Sequence, residues 1–261
     1  MEPVRVPGFV AGARSAVVLR SRAASAGARL AAALTVLAGL AACVTPPSDD
    51  ELKARYVAAV ADAKDAEPAE VATGLVWIGP ANPDLVWSPA RDRVLVVTWT
   101  NWSGYDGLVG RETTVGRETW VTAVPELRRR CAAIPPGTDV TLRLEQLLGL
   151  PPRNGKTKLV QLWVSPGDLF RPAADPEIGD REAGPDFPNN RRVAVTAAHR
   201  AWIEDLESKS YGADGYPWTR LGYTYDWNNP RSEVGLSEFV VEKGAVVRVE
   251  SVQDTASYCR P

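Results

Sequence analysis

The chain has one histidine, one methionine, three cysteines and four phenylalanines in 261 residues, and its 30 basic side chains nearly cancel its 32 acidic ones. The lone histidine, His199, excludes metal sites built from several imidazoles and leaves a single imidazole available as a base. Without an excess of positive charge there is no electrostatic footprint for nucleic acid. The longest uncharged apolar run, Leu30 to Ala42, has 13 residues, whereas a membrane-spanning helix needs about 20. With 45% hydrophobic and 24% charged residues the composition is globular, and the length suits one large domain or two small ones.

The first 42 residues carry Arg5, Arg14, Arg20, Arg22 and Arg29 against one acid, Glu2, and end in the apolar run. A basic segment, a short apolar core and small residues at a cleavage point are the order of a secretory signal peptide. The end of that run, Leu40-Ala41-Ala42-Cys43, resembles the lipobox of bacterial lipoproteins. The resemblance covers this short segment only. It implies that Cys43 becomes the acylated, diacylglycerol-bearing N-terminus and that the protein is anchored to the cell envelope by lipid. Residue 44 is Val rather than Asp, which by analogy with Gram-negative lipoproteins implies the outer membrane. Translation starting at Val17 or Val18 instead of Met1 would leave Cys43 unmoved.

With Cys43 assigned to lipid, Cys131 and Cys259 remain, and outside the cytoplasm two such cysteines are expected to pair. Two buried thiols are the alternative. A bridge would tie the C-terminal segment to the middle of the chain and, through loop-closure entropy, stabilise the fold by about 4 to 5 kcal/mol.

Val44 to Pro47 reads as a tether, and Ser48-Asp49-Asp50-Glu51 as a capping box that opens a helix over 49–65 with Leu52, Tyr56, Ala59, Val60 and Ala63 on one stripe. Its alanine-rich stripe suggests a spacer between lipid and domain. From Val76 onward, short β-branched and aromatic runs separated by Pro, Gly and Asn predict strands and turns. Arg93 to Asn101 and Lys158 to Val164 are apolar on both faces, as central strands are. Glu238 to Glu242 and Ala245 to Val252 flank Lys243-Gly244 as a hairpin would. Ala197 to Ser210 predicts a helix with Ala198, Trp202, Ile203 and Leu206 inward and an Asp205–Lys209 pair outward. Leu142 to Leu150 alternates like a strand at first, and its second half reads as a helix. Phe170 to Arg192 reads as a long surface loop. Together these predict an α+β domain over 71–261, with a largely antiparallel sheet and flanking helices, preceded by the signal peptide (1–42) and an anchor segment (43–70).

Gly149 to Thr157 (G-L-P-P-R-N-G-K-T) approaches a phosphate-binding P-loop, but it has five residues between its glycines instead of four and a Pro-Pro where amides should cradle phosphate. It reads as a turn, and no nucleotide, cofactor or metal is expected. There is no G-x-S-x-G elbow to pair with His199. Carboxylates are the remaining catalytic chemistry: Asp175, Glu177, Asp180, Glu182 and Asp186 crowd the long loop beside Arg171, Arg181, Arg191 and Arg192, and Glu204, Asp205, Asp214, Asp226 and Glu233 follow. A glycosidase needs two carboxyls about 5 to 10 Å apart. A solvated loop is the plainer account of these charges.

Tryptophan is over-represented, nine against four Phe. In Gly215 to Trp227 (G-Y-P-W-T-R-L-G-Y-T-Y-D-W), Trp218, Tyr223, Tyr225 and Trp227 could form an aromatic platform for sugar rings, or the same face could be core. Leu142 to Pro172 and Gly215 to Val241, with L-R-L-E-Q-L-L-G-L-P-P and V-G-L-S-E-F-V, also resemble segments of uncharacterised secreted bacterial proteins, which implies one folded unit and transfers no activity. The expectation is thus a lipid-anchored envelope protein. It is either a non-enzymatic module that binds cell-wall glycan or another envelope protein, or a purely structural protein; the alternative is a carboxylate-dependent glycoside hydrolase acting on cell-wall polysaccharide.

Overall fold

The computed structural model describes residues 46–189 and 193–260, so the expected signal peptide, Cys43, Arg191 and Arg192 lie outside it. Nine strands form: β1 (Val94–Thr100), β2 (Glu112–Thr114), β3 (Thr119–Ala123), β4 (Lys158–Val164), β5 (Leu169–Phe170), β6 (Tyr223–Tyr225), β7 (Val234–Ser237), β8 (Phe239–Val241) and β9 (Val246–Asp254). Five helices accompany them: α1 (Asp49–Asp62), α2 (Val124–Ala132), α3 (Val140–Leu147), α4 (Ala197–Ser210) and α5 (Thr255–Tyr258). Seven strands make one sheet in the order β2-β9-β4-β1-β3-β8-β5, every pairing antiparallel, and β6 and β7 make a second, two-stranded one. The architecture is the expected α+β domain.

Both expected central strands form, and they pair along their whole length from Val94 opposite Val164 to Thr100 opposite Lys158. Because successive side chains point to opposite faces, an uninterrupted apolar run supplies two cores. Val94, Val96, Val160, Leu162 and Val164 join Phe239, Val241, Val247 and Val249 beneath loop residues such as Ile78 and Tyr105. Leu95, Val97, Trp99 and Leu159 meet α2, α3 and α5 through Leu127, Leu144, Leu147 and Tyr258 on the other face. Cys131 at the end of α2 and Cys259 after α5 form a disulfide in this second core. That bond places the domain in an oxidising, extracytoplasmic compartment.

Four expectations change. The strands flanking Lys243-Gly244 do not form a hairpin: β8 pairs with β3 and β5, β9 with β2 and β4. Gly244 does take the positive φ of a turn (94°), but its amide donates to Val115 O, which carries the chain across the sheet. The stretch that alternates at Val140, Leu142 and Leu144 is helical from its start, because Asp139 caps it by accepting from Leu142 N at 3.1 Å. The first helix is no spacer: Leu52, Tyr56, Ala59 and Val60 are buried against Trp227, and Tyr56 donates to Gly215 O at 3.0 Å. The described residues accordingly form one compact unit that includes α1.

The fourth change is within the long loop, which lies at the surface with Glu177, Glu182 and Asp186 exposed but is built on a buried arginine. Arg171 is completely buried, its Nε donating to Glu177 O (2.9 Å) and its Nη2 to Asp180 O (2.9 Å) and Val76 O (3.3 Å), while its guanidinium lies over the Phe239 ring. The loop is wrapped around a cation, and Ala173, Ala174 and Ala183 are buried with it.

Candidate functional site

The sheet is forked. β1 and β3 are in register at Val96–Ala123 and Val97–Thr122 and then separate. Thr98 to Thr100 continue only with β4, and Thr119 to Val121 only with β8. The divergence has a visible cause: the segment entering β3 is tied to the far side, with Val115 N donating to Ala245 O and Gly244 N to Val115 O. A cleft of about 730 Å³ opens at the fork, walled by consecutive residues of both separating strands, Val97–Thr100 and Thr119–Thr122. Walls made of consecutive residues are strand edges rather than one sheet face, since one face would contribute only every second residue.

Register orders the lining. At the crotch, Thr122 and Val97 adjoin Glu238, with Leu127, Leu148, Leu150, Leu159 and Thr224 beneath. At the open end lie Thr100, Trp102, Tyr105, Lys156 and the loop Gly116-Arg117-Glu118. Trp99 and Trp120 line the cleft as wall residues, the Trp99 indole lying in the second core with its Nε1 donating to Thr255 Oγ1 at 2.9 Å and the Trp120 ring packing near Trp202. Trp102 is half exposed and meets Tyr105 edge to face, ring centres 4.9 Å apart.

The two ends differ in electrostatics. Glu238 has neither a hydrogen-bond nor an ion-pair partner for its carboxyl among the described residues, and burial pushes it up from 4.5 to about 8. A carboxyl that ionises only there is mostly protonated at neutral pH and can donate a hydrogen bond. At the open end, burial lowers the Lys156 pKa, with a smaller push from the nearby Arg117 charge. Neither Lys156 nor Arg117 has an ion-pair partner among the described residues. The neighbouring Glu126 does not enter the cleft. It accepts from Ser237 N and Oγ and from Thr122 Oγ1, and burial raises its pKa.

The residues singled out from the sequence lie elsewhere. Trp218, Tyr223 and Trp227 are core, with their polar atoms bound internally: Trp218 Nε1 donates to Pro172 O, Tyr223 OH to Glu70 O and Trp227 Nε1 to Leu150 O. Tyr225 is half-buried and donates to Asp62 Oδ2. They form no open platform, because α1 covers Trp227 and Tyr225. His199 stacks on Trp202, its Nε2 2.8 Å from Ala173 O. Asp175, Glu177 and Asp180 surround Arg171, Asp226 forms a buried two-pronged pair with Arg143, and Glu204 and Asp205 are exposed on α4. None of these carboxylates lines the cleft. Among the described residues no group of three or more His, Cys, Asp or Glu could hold a metal ion.

The cleft residues were legible only in part. Lys156 belongs to the stretch that imitates a P-loop, which is a turn leading into β4. Glu238, a charge inside the apolar run S-E-F-V-V, is the one local signal that pointed to an inward-facing polar group. In comparison with known proteins, no family model, no curated protein and no solved structure matches the chain.

Proposed function

We propose that this is a lipid-anchored envelope protein that acts as a binding module, its ligand seated in the cleft between β1 and β3. The observation that carries the proposal is the open cleft itself, with Trp102 and Tyr105 at its mouth and an unpartnered carboxyl, Glu238, at its closed end. Pockets that combine apolar walls with a few convergent polar groups are where ligands bind. Cys43 supplies the anchor, in the outer membrane if the cell is Gram-negative. The stretch from Cys43 to Asp49 reaches at most about 20 Å, so a lipid on Cys43 would hold the start of α1 within that distance of the membrane surface.

Intrinsic fluorescence of the detergent-solubilised protein, titrated with peptidoglycan fragments, other envelope polysaccharides and envelope proteins, tests the binding role. A saturable change that Trp102→Ala weakens without loss of fold supports it, and an unmoved signal with every polymer sinks it. Mass spectrometry of the membrane-extracted protein tests the anchor: a diacylglyceryl Cys43 is expected, and an intact Met1 removes it.

Glu238 supports one second role. An acid still protonated at neutral pH is what a glycosidase uses against the leaving group, and Glu118 on the rim is the second carboxyl of the cleft. Release of reducing ends from cell-wall polysaccharide, abolished by Glu238→Gln, would establish a hydrolase. Binding without release excludes it.

A further inference from the structure

We infer that the ligand of the cleft is a polypeptide segment in extended conformation, carrying an acidic side chain, which adds as a strand between β1 and β3. The inference rests on the cleft being the binding site and names what fills it.

Two features point to a strand. Thr98–Thr100 and Thr119–Val121 line the cleft from its two sides with no partner strand on those edges among the described residues, although each is paired on its outer side. Strand edges carry backbone N–H and C=O groups at regular spacing, and an extended chain matches that spacing on both sides at once. A glycan carries hydroxyls and N-acetyl groups, but not backbone donors and acceptors alternating along both of its edges. The three residues on each wall span about 10 Å, the length of about three residues of an extended chain.

Charge selects the side chain. The open end presents Arg117 and Lys156 as neighbouring cations, neither ion-paired among the described residues, against the one acid Glu118. Bringing two like charges together costs free energy that an incoming carboxylate recovers. Glu238 at the crotch, protonated at neutral pH, does not repel such a segment and has a donor to offer one of its carbonyls.

The test uses the full chain in detergent with synthetic, end-blocked heptapeptides of alternating valine and threonine, bearing aspartate, asparagine or lysine at one position. The aspartate peptides should bind at least tenfold more tightly than the lysine ones. The double substitution Arg117→Gln, Lys156→Gln should erase that preference. Hydrogen exchange should slow at residues 98–100 and 119–121 on binding, and N-methylation of alternate peptide amides should abolish the complex. Lysine peptides that bind as well as aspartate peptides, or protection that misses both strand edges, would overturn the inference. Should peptidoglycan oligosaccharides bind in a Trp102-dependent way while no peptide does, the cleft stands as the site and the strand is wrong. If neither class binds, both fall.

Discussion

The indole of Trp102 occupies the space beside Gly104 in which any larger side chain would stand: a β-carbon on Gly104 would collide with the six-membered part of the ring. The absence of that carbon lets Trp102 fold back over the short helical turn Ser103–Tyr105 and meet Tyr105 at the mouth of the cleft. Gly104→Ala should therefore push the ring out of place and mimic Trp102→Ala. Both variants should lose about tenfold in ligand affinity, ~1.4 kcal/mol, with thermal unfolding nearly unchanged because Trp102 is on the surface. Fluorescence titration beside a melting curve checks this, and a Gly104→Ala protein with native affinity would show that the ring's position is immaterial.

Glu238 makes a pH prediction whose sign is determined by burial. Folded, the carboxyl keeps its proton up to about pH 8; unfolded, it loses it near 4.5. Between those values the folded chain binds a proton that the unfolded chain does not, so its contribution to stability is present at the acid end and is lost as pH rises toward 8. Glu126, Glu145, Asp175 and Glu177 are also raised by burial and add to the trend, while Glu51, Asp92 and Asp254, lowered by hydrogen bonds from Ser48, Ser88 and Ser257, oppose it. The difference between Glu238→Gln and the parent isolates this one group. Urea unfolding should give equal stabilities near pH 4.5 and a more stable Gln variant at pH 8, and a difference independent of pH would contradict the assignment.

Joining Cys131 to Cys259 spans a sequence separation of 128 residues. Closing a loop that long removes enough unfolded-state entropy to stabilise the fold by about 4 to 5 kcal/mol. The double variant Cys131→Ser, Cys259→Ser should unfold at a clearly lower urea midpoint. Thiol counting on the untreated, denatured parent should find neither of these two cysteines free.

Arg171 should matter more to folding than any acid of its loop. Replacing it with Met preserves much of the apolar stem but leaves the carbonyls of Val76, Glu177 and Asp180 without their donor, at a cost of about 3 kcal/mol. Limited proteolysis should then cut within 174–189 faster than in the parent. Equal resistance would mean that the loop holds its shape without the cation.

Local pattern determined the elements that depend on near neighbours. The apolar runs of β1 and β4, the Ser48–Glu51 capping box and the span of α4 follow from period and from caps within three or four residues, and all form as read. The cysteine pair was likewise legible, because compartment and count left those two thiols to each other. What tertiary structure alone decided is which distant segments meet. Lys243-Gly244 has the composition of a hairpin turn, yet the strands on either side pair with others because the anchor at Val115 lies far away in the sequence. The acids Glu177, Glu182 and Asp186 of the 170–192 loop are exposed as their composition implies, but that Arg171 turns inward beneath them is decided by the fold. The aromatic run ending at Trp227 became core because α1 folds back over it. The cleft belongs to the same class: its two walls are ordinary strands in sequence, and only the early end of the β1–β3 ladder separates their edges and opens the cleft that Glu238 lines.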